Sequence, residues 1–313
     1  MKERTLLSIK LISTHILLLP LILAIGVLTP PVSIYLDILV QTLLIIILTT
    51  GYWEFFGLKF RTYYSILIEV LIVILIIYRV HAPTYASTGW IGFVLYLLLQ
   101  GYLIFNLFNI CLVIFKKEKV SFEISFPLRG GKFLITDGGN SKVSRLMNYH
   151  YHSKAHKTKG TNLSMKFATD IVRLDPPLKS FLPTSNSDYS IFENQVYSPL
   201  SGEVFKVVND IEDNTPYSGN YPYNTGNNIV IRNGDLYLLI GHLRKGSIIK
   251  KVGDKLNQGE RIAAAGNSGF SERPHIHMQM MRSETNDYWS GEGVSITYRH
   301  INLYKNRIIS DNR

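Results

Sequence analysis

The 313-residue chain has one cysteine, Cys111, and only 18% of its residues are charged. A lone thiol excludes a disulfide-stapled secreted scaffold. Residues 116–313 have no cysteine at all, so cysteine-based zinc ligation and thiol nucleophiles are excluded there. The 46% hydrophobic content excludes a disordered chain. The sequence has neither a Walker loop nor a dinucleotide-binding glycine fingerprint, which removes the P-loop and Rossmann readings. Repeats of 20–50 residues are absent too, which excludes a solenoid or propeller.

The residues that are present divide the chain in two. Residues 1–115 hold six of the 33 Lys+Arg and four of the 23 Asp+Glu, leaving 27 and 19 in residues 116–313, a net of +8 there. Four apolar runs fill the first part: 11–28, 33–56, 63–80 and 88–115. Each has roughly the 17–25 residues that cross ~30 Å of hydrocarbon as a helix. The expectation is an α-helical transmembrane bundle of about four helices over 1–115, with the lipid bilayer as its partner. Glu69, about two turns inside the third run, reads as a helix-interface contact, because no second titratable group accompanies it.

Charge bias and chemistry disagree on sidedness. Four spans would gather Lys2, Arg4, Lys10, Lys59, Arg61, Lys116, Lys117 and Lys119 on one side against Arg79 alone, which places the second part in the cytoplasm. The rule is weakest for large domains, and an odd number of spans would reverse it.

Residues 116–313 change texture to short β-rich runs separated by Gly, Asn, Asp and Pro. Apolar and polar residues alternate over 120–126, 196–208, 228–232 and 236–243, with turn signals at Asp137-Gly138-Gly139-Asn140, Asn233-Gly234-Asp235 and Gly266-Asn267-Ser268-Gly269. The reading is an all-β, largely antiparallel domain of sandwich or barrel type. Lysines are dispersed and no aromatic-interleaved recognition motif occurs, so nucleic acid is not expected as a partner.

Seven of the nine histidines lie in this part, and Pro274-His275-Ile276-His277-Met278 is its sharpest feature. On a strand, positions i and i+2 share a face about 7 Å apart. One imidazole can then bind a metal while its neighbour reaches a group attached to that metal. Alone, such a pair is equally well two surface histidines.

The surrounding order carries more information. Tyr197-Ser198-Pro199-Leu200-Ser201-Gly202 is followed by Gly226-Asn227-Asn228, Gly241-His242-Leu243, Val252-Gly253-Asp254-Lys255, Gly266-Asn267-Ser268-Gly269 and then His275-Ile276-His277. This series resembles the LytM/lysostaphin-type zinc metallopeptidases, which cut peptides of bacterial peptidoglycan, and the resemblance covers about 125–304. It implies a LytM-type β fold and a Zn2+ cofactor, with peptidoglycan stem or cross-bridge peptides as substrate. It implies metal ligation by His277 and Asp170 and catalytic roles for His242 and His275. A catalytic zinc takes three protein ligands and leaves one position for water.

One position departs from the family pattern. His-x-x-x-Asp is usual, yet Lys166 stands four residues before Asp170. A protonated lysine cannot ligate zinc. Asn148-Tyr149-His150-Tyr151 resembles a variant Asn-x-His-Tyr form, which makes His150 the expected third ligand, followed by His152 and then His156. Two alternatives accompany the peptidase reading. A catalytically degenerate module could regulate or scaffold cell-wall enzymes, and the Lys255 hairpin also resembles those of biotinyl and lipoyl carriers. Because the implied substrate lies outside the membrane, the domain is expected on the extracytoplasmic side.

Overall fold

The computed structural model describes residues 121–139, 148, 150, 163–175, 183–219 and 224–312, with isolated positions between 67 and 115. The chain divides into two compact units, Met1–Cys111 and Leu112–Arg313.

The expected transmembrane bundle is corrected in the first unit. Among the described residues no helix is long and apolar enough to cross a membrane. The described positions between Leu67 and Phe115 are helical, and the rest of the four apolar runs lies outside the described residues. Run length reports composition, whereas a span also needs about 20 residues in one uninterrupted hydrogen-bonded helix.

The second unit is β-structured. Its strands are β1 (Ser121–Glu123), β2 (Gly131–Asp137), β3 (Thr169–Arg173), β4 (Gln195–Tyr197), β5 (Gly202–Val208), β6 (Asn227–Asn233) and β7 (Leu236–Leu243). They continue as β8 (Lys255–Leu256), β9 (Arg261–Ala264), β10 (Ile276–Arg282), β11 (Glu292–Tyr298), β12 (Ile301–Asn302) and β13 (Ile308–Asp311). The main sheet runs β13-β2-β3-β10-β7-β6-β5-β8, and β4 pairs with β9 as a separate ribbon. Pairing is antiparallel except between β1 and β11. From Ser121 onward the only helical turns among the described residues are short 3-10 turns.

Local sequence explains the central hairpin. β6 and β7 are joined across Gly234-Asp235, with Asn233 paired to Leu236. Gly234 has φ +63°, the backbone that a two-residue hairpin turn needs at its first central position and that glycine adopts without steric cost. Alternation then sorts the side chains. Ile229, Ile231, Leu238, Ile240, Met278 and Met280 enter the main core with Phe133, Ile135 and Ile171. Val230, Tyr237, Leu239 and Met281 form a smaller cluster with Tyr288 on the opposite face. Each fully buried large apolar side chain contributes about 1.5–3 kcal/mol, so burial on both faces stabilises the frame under β10.

β10 has one constant and two alternating neighbours. β7 pairs with it from His277 to Arg282, whereas on its other edge β3 covers Ile276–Met278 and β11 covers Met280–Arg282. The sheet therefore forks beside the His-x-His segment.

Candidate metal centre

Strand register builds the centre. His277 on β10 is paired with Asp170 on β3 and with Gly241 on β7. Directly paired residues share a face, so the Asp170 carboxylate and His277 imidazole project together, with His277 Nδ1 2.9 Å from Asp170 Oδ1. Gly241 lets the Thr225 segment approach the other flank closely; a Cβ there would lie 2.9 Å from the Thr225 carbonyl oxygen.

His150 reaches the centre from outside the sheet, in a 3-10 conformation. Asn148 holds it there. Its buried amide donates to the carbonyls of Gly139 (2.6 Å) and Lys166 (3.1 Å), and its Oδ1 accepts the His150 N–H at 2.9 Å. His150 Nε2 then lies 3.0 Å from Asp170 Oδ2 and 3.7 Å from Asp137 Oδ2. Asp137 reaches this position because a bulge in the β2–β3 pairing sets it opposite Asp170.

The donor set suits a metal ion. One ligand atom from each of His150, Asp170 and His277 lies within 4.8 Å of the other two. Two atoms bound to one zinc at ~2.0–2.1 Å lie no more than about 4.2 Å apart, and the 2.9 Å and 3.0 Å separations fall inside that limit. Two imidazoles and a carboxylate leave a fourth position open, the arrangement of catalytic rather than structural zinc.

Two further buried histidines stand beside these donors. His275 lies just before β10, its Nδ1 2.9 Å from the Arg273 carbonyl and 3.2 Å from Ser271 Oγ. Its Nε2 is 3.7 Å from Asp170 Oδ1. His242 Nδ1 lies 2.8 Å from the Ser268 carbonyl. A carbonyl only accepts, so each Nδ1 carries a hydrogen and Nε2 is left for other work. The two rings are 4.6 Å apart, and the His242 and His277 rings 5.8 Å. His242 has φ +59°. In a regular strand it would face away from its neighbour's side, and this left-handed backbone re-aims it.

Burial and charge set the protonation states. Burial lowers His275 to about 4, with the Asp170 carboxylate opposing and Arg273 reinforcing the shift. Burial, then the His275 and His277 charges, holds His242 well below the ordinary imidazole range. Burial would lower His150 as well, but the Asp170 and Asp137 carboxylates raise it to about 9. Asp170 is held well below its ordinary value: burial opposes this, and the neighbouring imidazoles overcome it.

The structure thus brings together His150, Asp170, His242, His275 and His277. It differs from the sequence reading in one detail, since β10 begins at Ile276 and His275 precedes the strand. His152 and His156 lie outside the described residues. Lys166 is turned to an ion pair with Glu292. In the sequence Asp137 belongs to a turn signal; an acid at a strand end gives no sign of the bulge that aims it.

A His/Asp/His donor set at an antiparallel sheet, with His277 buried and the other two half-buried, flanked by two more histidines, has the donor pattern of a hydrolytic metal centre. Residues 187–288 match Peptidase family M23. Within the match fall His242, His275 and His277, while His150 and Asp170 precede it. Peptidoglycan DD-endopeptidase ShyA of Vibrio cholerae is 31% identical over 110 residues, covering 35% of this chain and 23% of that protein. Peptidoglycan DD-endopeptidase ShyB of the same organism is 29% identical over 168 residues, covering 50% and 35%. The catalytic domain of lysostaphin from Staphylococcus simulans aligns at 21% identity over 47% of this chain and 86% of that one, with TM-score 0.29. The chain spans about a quarter to a third of the length of the two Vibrio relatives.

Proposed function

We propose that the domain is a zinc-dependent endopeptidase that hydrolyses peptide bonds in peptidoglycan stem or cross-bridge peptides, working on the extracytoplasmic side of the membrane. The observation that carries this reading is the convergence of His150, Asp170 and His277 within 4.8 Å, on a chain whose residues 187–288 match Peptidase family M23. Zinc held by those three side chains supplies Lewis acidity and an activated water. The remaining work belongs to the chain. His242 and His275, neutral at pH 7, offer Nε2 to the reacting carbonyl and the attacking water. Hydrolysis breaks the amide C–N bond, gives the carbonyl carbon a hydroxyl and sends a proton to the leaving amine; the two imidazoles are placed to move that proton. Burial keeps both uncharged in the metal-free protein, so each Nε2 has a lone pair with which to accept a hydrogen.

The deciding experiment incubates the full-length protein with purified peptidoglycan and identifies the released peptides, before and after chelation and with zinc restored. Zinc-dependent release with a new amino terminus supports the reading. No release by zinc-loaded protein overturns it.

A second reading has its own observation. Lys166 stands where the family's histidine is usual and is engaged with Glu292, and the family match starts after Asp170. A module without turnover would use the same surface to regulate cell-wall enzymes. Such a module leaves peptidoglycan intact even when zinc-loaded.

A further inference from the structure

His277, Gln279 and Met281 occupy one face of β10 in sequence, running from the metal centre into the smaller apolar cluster. Gln279 has no solvent exposure, and its paired neighbour on β7 is Leu239. A carboxamide in that setting needs partners of its own. It has two. Oε1 is 2.9 Å from His277 Nε2, and the amide nitrogen donates to Met281 Sδ at 2.9 Å.

We propose that Gln279 is a positioning residue that holds His277 in the tautomer whose Nδ1 binds the metal. This inference rests on the zinc reading above. A thioether has no hydrogen to donate, so the NH2 group belongs on the Met281 side. Turning the amide over would set its oxygen against the sulfur. Oε1 consequently faces His277, and Nε2 carries the hydrogen. A neutral imidazole with Nε2–H has its lone pair on Nδ1; without metal that atom would instead share a hydrogen with Asp170 Oδ1 at 2.9 Å, so the tautomer fixed by Gln279 is that of the metal-loaded centre. Metal-binding histidines commonly pass their other N–H to such an acceptor, which fixes ring and tautomer. A carboxylate at this position would make the imidazole more basic. The uncharged amide orients His277 without enriching it, and the bound metal stays more electrophilic.

The test measures zinc affinity of the full-length protein by competition with a chromophoric chelator, for wild type, Gln279→Met and Gln279→Glu, alongside 15N NMR of the His277 ring. Gln279→Met should weaken zinc binding 10–100-fold and abolish the preference for Nε2–H. Gln279→Glu, which still accepts that hydrogen, should keep the tautomer and bind zinc at least as tightly as wild type. A residue that only fills space predicts the reverse order, with methionine harmless and a buried glutamate harmful, and that result overturns the proposal. If Gln279→Met does not fold, Gln279→Glu decides alone, because loss of affinity there contradicts a tautomer role. Unchanged affinity in Gln279→Met overturns this inference alone; a wild-type protein that binds no zinc overturns the zinc reading and this inference together.

Discussion

Asp170 and His277 are 107 residues apart in sequence, yet Oδ1 and Nδ1 meet at 2.9 Å because β3 and β10 pair them in register. Metal affinity should therefore depend on both ends of that pairing. The full-length protein should carry about one zinc equivalent, falling to a small fraction in His277→Ala or Asp170→Asn, as read by elemental analysis. Full occupancy in either variant contradicts their ligand roles.

The third ligand is separable from its neighbours. His150→Ala should lose zinc while His152→Ala and His156→Ala retain it. With zinc at a hundredfold excess over its dissociation constant, binding adds about 2.7 kcal/mol of stability, so chelation should lower the melting temperature of wild type and leave that of His150→Ala unmoved. Zinc lost from His152→Ala instead would transfer the assignment.

His275→Ala should be folded and zinc-loaded but slower by roughly 10²–10⁴-fold, the usual size of a lost proton-transfer group. Initial rates on purified peptidoglycan check this. Wild-type turnover would remove His275 from the chemistry.

In the metal-free protein, stability should peak near pH 6.5. His275 is lowered to about 4, so the unfolded chain takes up a proton between 6.5 and 4 that the folded one refuses, and stability falls as pH drops through that window. His150 is raised to about 9, so its contribution is complete below 6.5 and is lost as pH rises from 6.5 to 9. Denaturation of chelator-treated protein across pH 4–9 should trace that maximum. A flat profile would mean that these two groups do not govern it.

Protease added to intact protoplasts should digest the domain if the proposed extracytoplasmic placement holds. Complete protection would put it in the cytoplasm, out of reach of the proposed substrate.

Much of this domain was legible in the sequence. Alternation around Gly234-Asp235 gives the β6–β7 hairpin, and the motif order from Tyr197 to His277 gives the family resemblance. His150 was legible only through that resemblance, since its neighbours show no strand period and Asn148 positions it with long-range hydrogen bonds to the Gly139 and Lys166 carbonyls. Gly241 reads as an ordinary glycine until the pairing sets it beside His277. Gln279 reads as a polar residue on a strand until burial leaves it two partners. The apolar runs of 1–115 show composition, and among the described residues no helix is long and apolar enough to cross a membrane.

The left-handed backbone of His242 separates two demands that usually coincide in one residue. Most side chains resist that conformation, whereas asparagine tolerates it several-fold better than average. Alanine at 242 would remove an imidazole and disturb the path of the chain at once, so a dead His242→Ala enzyme would say little about chemistry. His242→Asn removes the imidazole from a chain whose course is kept. Comparing the two divides any loss of rate between the proton-carrying ring and the bend that presents it.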